Sequence, residues 1–301
     1  IWNASRFIMM NLEDKEIGEV SIEALTPADR WILSKVNTLA ADITENMNQY
    51  DMGIAVTKLH DFIWEEFCDW YIEMVKPRLY NDDDQTKMAA LWTLRTVLIQ
   101  SLKCLHPFMP FITEEIFQTL QSEEPSIMVT EWPVYKAAWH FESEEQSISL
   151  IKEAVHQIRN VRANMSVPPK KKAKVFVVSE DAAVKKIFEE GKVFFATLGY
   201  ASKVTIQDDN NGIDPDAVSV VIQGATIYMP FTELVDIDKE IERLSGEKDK
   251  LLKEIVRVTK KLSNQGFVAK APAEVIEEER AKQEKYEQML TQVEERLQAL
   301  K

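Results

Sequence analysis

The sequence predicts a mainly α-helical chain: an antiparallel helical bundle, then a small α+β module, then an antiparallel two-helix coiled-coil arm. Three observations carry this. Apolar residues recur at spacings of three and four over most of the first part of the chain, the helical period. Short β-branched runs separated by turn residues lie between Lys174 and Met229. From Ile237 a seven-residue repeat takes over. At 301 residues and roughly 150 per domain, two or three domains are expected, with boundaries at 1–146, 147–234 and 235–301.

In the bundle, Thr26-Pro27-Ala28-Asp29 is a helix start: a hydroxyl N-cap, proline at the first helical position and a carboxylate in the first turn. Behind it Ile32, Val36, Leu39 and Ile43 share one face. A second helix follows Gly53 with Val56, Leu59, Ile63, Phe67, Trp70 and Met74 in rhythm, and is expected to end at Lys76-Pro77, because the residue before a proline disfavours helix. Trp64, Phe67, Trp70 and Tyr71 read as bundle core. Asp82, Asp83 and Asp84 read as caps for a third helix from Lys87 to Leu105; Pro107 and Pro110 stop it, and Thr113 to Leu120 forms a fourth.

The module opens with an amphipathic helix over Leu150 to Ala163. A strand over Lys174 to Val178, a helix over Ala182 to Ala196 and strands over Val204 to Gln207, Ser219 to Ile222 and Thr226 to Met229 follow. In the arm, Ile237, Ile241, Leu244, Lys248, Leu251, Ile255, Val258 and Leu262 form one seam. After a breaker at Asn264-Gln265-Gly266, Tyr286, Leu290, Val293, Leu297 and Leu300 form the other. The first arm helix is rich in Lys and Arg and the second in Glu, which favours folding of one on the other over pairing of like helices.

The net charge is −14 and hydrophobic residues make up 45% of the chain, which excludes global disorder. Two cysteines, Cys68 and Cys104, make no disulfide framework and fit reduced thiols in a cytoplasmic protein. The most apolar run, Leu91 to Ile112, is interrupted by Arg95, Lys103, Pro107 and Pro110, so no membrane partner is expected. The opening Ile1-Trp2-Asn3 already lies in an amphipathic pattern, as expected of a piece of a longer polypeptide. No catalytic or metal constellation stands out. The histidines are scattered, His106 reads as structural, Glu65, Glu66 and Asp69 read as a solvated face, and Asp208 to Gly212 as an acidic turn.

Binding chemistry is better represented. Arg159, Arg162, Lys170, Lys171, Lys172 and Lys174 form a run without an acidic residue, read either as a phosphate contact or as a solvated lysine loop. At the arm's tip Phe267 and Val268 lie between Lys261 and Lys270, an arrangement able to stack on a base or to plug the hairpin's own end.

Trp2-Asn3-Ala4-Ser5-Arg6-Phe7, Asp29-Arg30-Trp31-Ile32-Leu33-Ser34-Lys35, Glu66-Phe67-Cys68-Asp69-Trp70-Tyr71 and Leu105-His106-Pro107-Phe108-Met109-Pro110-Phe111 resemble the helical anticodon-binding domain of class Ia aminoacyl-tRNA synthetases. The tail, with Asn264-x-Gly266-Phe267-Val268-x-Lys270-Ala271-Pro272 at its tip, is similar to the valyl-tRNA synthetase branch, of bacterial type. The resemblance implies a tRNA-handling part of a valine–tRNA ligase, monomeric and cytoplasmic, with tRNA(Val) as partner and neither DNA nor membrane. It implies ATP and Mg2+ for the parent enzyme and no cofactor here, since the family's H-x-G-H and K-M-S-K-S signatures are absent; the chain alone is expected to catalyse nothing. It also implies site residues: Arg6, then Asn3, Arg30 and Trp31, for the anticodon, and Lys253, Arg257, Lys260, Lys261, Phe267 and Lys270 for the outer corner of the RNA; Arg159, Arg162, Lys170 and Lys171 of the basic run join them as candidate contacts to the RNA backbone. The rival reading is a coiled-coil scaffold that binds a protein and no RNA.

Overall fold

Helix starts and stops set the frame of the bundle. The structure, a computed structural model, describes residues 1–12, 15, 17–121, 123–168, 170–234, 237–264 and 272–299. Helix α1 spans Trp2–Leu12 and α2 spans Pro27–Asn48. Asp29 caps α2 as expected: its carboxylate accepts the Thr26 amide at 2.9 Å and the Thr26 hydroxyl at 2.8 Å, an arrangement whose loss typically costs about 1 kcal/mol. Ile32, Val36, Leu39 and Ile43 are all buried.

After α2 a continuous helical rod runs from Met52 to Leu79: α3 (Met52–Asp61), a π-wound stretch (Phe62–Ile72) and α4 (Glu73–Leu79). The wider winding, with bonds from i to i+5, puts Phe62, Phe67 and Ile72 in one buried row and turns Trp64 and Asp69 outward. Trp64 is therefore 59% exposed and is not core. The rod also passes the expected stop at Pro77 and ends at Leu79. A proline inside a helix removes one backbone bond. Here the last turn is held from outside, by burial of Met74, Val75 and Leu79 and by Arg78, whose guanidinium meets Asp29 at 2.8 and 2.9 Å. Asp29 is wholly buried and also accepts the Tyr71 hydroxyl at 2.6 Å. The remaining Arg78 N–H groups go to Thr26 and Thr86.

Helix α5 spans Lys87–Leu105 and α6 spans Pro110–Leu120. The latter starts three residues earlier than expected, because Pro110's fixed φ suits the first helical position. Asp84 accepts the Thr86 amide at 2.8 Å, and Asp82 pairs with Lys87 at 2.6 Å. His106 is bonded to Thr113 at 2.7 Å. Cys104 is buried, and burial pushes its thiol up to about 12; Cys68 is half-buried. Helix α7, Glu142–Asn164, runs unbroken across the boundary expected at 146/147. Its first turns lie on α2 through Arg30–Glu144 (3.2 Å) and Lys35–Glu145 (2.8 Å).

The module is a four-stranded sheet in the order β2-β1-β4-β3, from β1 (Ala173–Val178), β2 (Ala201–Gln207), β3 (Val218–Ile222) and β4 (Ala225–Met229). β1 and β2 are parallel; the other pairs are antiparallel. The crossover between β1 and β2 carries α8 (Ala182–Glu190) and α9 (Lys192–Leu198), where the sequence predicts a single helix. They part at Gly191, which lies so close to α7 that a Cβ there would stand 2.6 Å from Ile151 Cδ1. Gly224, at φ 74°, makes the β3–β4 turn. A short helix, α10 (Phe231–Leu234), leads towards the arm.

The arm is α11 (Ile237–Ser263) and α12 (Ala273–Ala299). Leu244, Leu251, Val293 and Leu297 form a core separate from that of the bundle and module, with Ile241, Tyr286, Met289 and Leu290 against it. Lys248–Glu294 (2.8 Å) and Lys261–Glu279 (3.0 Å) cross between the helices, the pairing that the opposite charges predict. No helix among the described residues is long and apolar enough to cross a membrane.

Candidate nucleic-acid interface

An arginine can meet RNA only if its guanidinium is not already spent on the protein, and this criterion divides the predicted site residues. On α1, Ser5 and Ile8 face the core, so Asn3, Arg6 and Met10 stand on the opposite, exposed side. Arg6 and Asn3 have no side-chain hydrogen bond or ion pair among the described residues. A planar, five-donor cation held on a short helix can both stack on a base and bond its edge.

The other two anticodon candidates are committed elsewhere. Arg30 pairs with Glu144, and its Nε and Nη2 donate to the Ile22 carbonyl at 3.4 and 3.2 Å. Trp31 is 1% exposed and cannot stack on a base. The Lys152 ammonium sits 5.2 Å from both the Trp31 and the Trp70 rings, which places Trp31 in a cation–π cluster under α7.

The basic run behaves similarly at its start. Arg159 donates to the Leu198 carbonyl at 2.8 Å and lies 5.5 Å over the Trp70 ring, so it ties bundle, α7 and α9 together. Arg162 is 5% exposed; it clamps the Pro168 and Lys171 carbonyls at 3.2 and 2.6 Å and stacks on Tyr200 at 5.2 Å. Both are thus engaged with protein groups, Arg162 in a buried position and Arg159 half-exposed. His156, edge-on to Trp70 at 5.1 Å, is held below its ordinary pKa by burial and by the charges of Arg159 and Lys152, and so is neutral near pH 7. Lys170 and Lys172 remain exposed, and Lys171 is half-buried. Lys174 pairs with Glu233 at 2.9 Å.

On the arm, Lys250, Lys253, Arg257 and Lys260 recur at spacings of three, four and three, which puts them on one side of α11, away from Leu244, Leu251 and Val258. All four are exposed. Lys253 and Lys260 have no ion-pair partner among the described residues, and Arg257 is held by Glu254 at 2.7 Å on its own helix. Lys261 instead joins Lys282 at Glu279, and hydrogen bonds from Lys261 and then Lys282 hold that carboxyl below its usual range. At 1.5 Å per residue, the 27-residue α11 extends roughly 40 Å. The predicted tip residues Phe267 and Lys270 lie outside the described residues.

Lys203 is exposed, and Phe176 and Tyr228 are half-buried, on strands of the module. The strand alternation was legible, but which face of the sheet the helices cover was not. Among the described residues no group of three or more His, Cys, Asp or Glu side chains is placed to hold a metal ion.

Two family models match separate parts of the chain. Residues 29–177 match the family described as the anticodon-binding domain of tRNA ligase, and residues 236–301 match the valyl tRNA synthetase tRNA binding arm. The valine–tRNA ligase of Clostridium acetobutylicum is 51% identical over 303 aligned residues, covering all of this chain and 34% of the relative. That of Clostridium perfringens is 49% identical over 302, again all of the chain and 34% of the relative. That of Bacillus cereus is 39% identical over 298, which is 99% of the chain and 34% of the relative. With one match running from α2 of the bundle into β1 of the module, another on its arm, and relatives that align along its whole length, the chain belongs to the valyl-tRNA synthetase family and spans about a third of the length of the curated relatives it matches.

Proposed function

We propose that this chain grips tRNA(Val) at two separate places, reading the anticodon with the outer face of α1 and holding the outer corner of the RNA with the cationic side of α11. The observation that carries this reading is the distribution of uncommitted cations. In a chain of net charge −14, Arg30, Arg78, Arg159 and Arg162 are engaged with protein groups, whereas Arg6, Lys253 and Lys260 face outward without partners among the described residues. Arg6, with Asn3 beside it, discriminates bases. Lys250, Lys253, Arg257 and Lys260 meet phosphates, and the tip residues Phe267 and Lys270 extend that contact. The units are 1–146, 147–234 and 235–301, with α7 shared between the first two.

In the longer protein this grip serves the joining of valine to tRNA(Val) with ATP and Mg2+, in the cytoplasm and as a monomer. The residues present here do not fit ATP or Mg2+: no phosphate-cradling loop or metal-ligand group is found among those described. The covalent step is therefore assigned to none of them.

The test is a titration of tRNA(Val) and of an unrelated tRNA at two salt concentrations. Phosphate-driven binding weakens steeply with salt, with a slope near −0.9 per neutralised phosphate for duplex, and base reading adds a preference for the cognate RNA. A protein-binding scaffold would be indifferent to both RNAs.

A further inference from the structure

We infer that the open face of the module's sheet is a further RNA contact, a platform on which Phe176 and Tyr228 stack unpaired bases. This rests on the RNA-binding reading above. The inner face of the sheet, with Val175, Val177, Ile227 and Met229, is buried. Strand alternation places Lys174, Phe176 and Val178 of β1 and Thr226 and Tyr228 of β4 on the other face. The registers put Thr205, Phe176, Tyr228 and Ser219 in one row across all four strands. Phe176 and Tyr228 are half-buried side by side and are absent from the hydrophobic core and from the side chains packed against it. Val221, in the next row, is 77% exposed.

The charge around this face selects the partner. Lys203 is the register partner of Lys174, set there by an irregularity between Ala173 and Lys174. Lys170, Lys172 and Lys203 are exposed and have no ion pair among the described residues. The basic end of the sheet thus borders two aromatic rings that contribute nothing to the core. Aromatic side chains on adjacent strands of a sheet, flanked by cations, bind single-stranded nucleic acid through base stacking and phosphate neutralisation. An apolar protein segment would gain little from the lysines.

The experiment compares tRNA(Val) affinity of the full chain with that of Phe176→Ala, Tyr228→Ala, the double variant and Tyr228→Phe, with circular dichroism as the control for folding. Ultraviolet cross-linking followed by peptide mapping locates the contact. The double variant is expected to bind about tenfold or more weakly, Tyr228→Phe to bind as well as the parent chain, and cross-links to fall in β1 and β4. Unchanged affinity in the double variant, while Lys253→Ala with Lys260→Ala weakens the same tRNA, would overturn the platform and leave the two-ended grip standing. A parent chain that binds no tRNA would overturn both.

Discussion

The bundle and the arm are both antiparallel helices, yet they are held together by different means. In the bundle a wholly buried carboxylate, Asp29, joins the start of α2 to the π-wound stretch through Tyr71 and to α4 through Arg78. In the arm, five buried apolar side chains among the described residues, Leu244, Leu251, Val258, Val293 and Leu297, lie along a two-helix seam. Of the ion pairs that cross it, Lys248–Glu294 is open to water while the Glu279 carboxylate of Lys261–Glu279 is buried. Under the proposed reading, base recognition needs Arg6 held in place by the buried face of α1, whereas the arm needs only to present charge along its length, because phosphates are contacted without exact register.

The largest effect expected is on the bundle. Arg78→Met leaves Asp29 buried without its cation and is expected to cost about 3–5 kcal/mol. All seven tryptophans lie between Trp2 and Trp139, so denaturation followed by tryptophan fluorescence reports the bundle without the arm. If the loss comes from the stranded charge, adding Asp29→Leu recovers a large part of it.

Leu251→Ala attacks the arm in turn. Removing a buried leucine costs about 2–5 kcal/mol, and one of the five buried apolar side chains of the described seam is then gone. The far-ultraviolet helical signal should fall while the tryptophan transition stays in place. A shifted tryptophan transition would mean that arm and bundle unfold as one.

Alkali separates the two next. Burial, then the charge of Asp29, holds the Tyr71 phenol well above its ordinary value. Above roughly pH 10 the unfolded phenol ionises while the folded one stays protonated. Unfolding then releases a proton, and stability falls by up to about 1.4 kcal/mol per pH unit until the folded group also ionises. Tyr71→Phe should flatten the alkaline fall of the tryptophan transition. The smallest effect belongs to Lys248→Ala, which breaks an exposed pair with Glu294 and should cost under about 1 kcal/mol, less in high salt.

Local chemistry made much of this legible. The Thr26 to Asp29 start, the bounds of α5 and the heptad seam follow from neighbours in sequence. What was not legible depends on distant partners. Trp31 looks like any tryptophan opening an amphipathic helix until α7 lies over it, and Arg162 looks like a basic-run residue until the Lys171 carbonyl turns back to it. The π winding that exposes Trp64 and the close approach of Ile151 to Gly191 are also set by packing. The exposure of Arg6 and Asn3 follows from α1 having one buried face, while their assignment to the anticodon rests on the family resemblance alone.

The central claim, a base-reading end and a phosphate-holding end, is tested most directly by measuring how Arg6→Ala and the pair Lys253→Ala with Lys260→Ala bind tRNA(Val) and an anticodon-swapped version of it across a salt series. Arg6→Ala should erase the preference between the two RNAs with little change in salt slope. The lysine pair should weaken both RNAs equally and lower the slope by up to about two. Retained preference in Arg6→Ala, or a lysine pair that changes preference and not slope, would contradict the account.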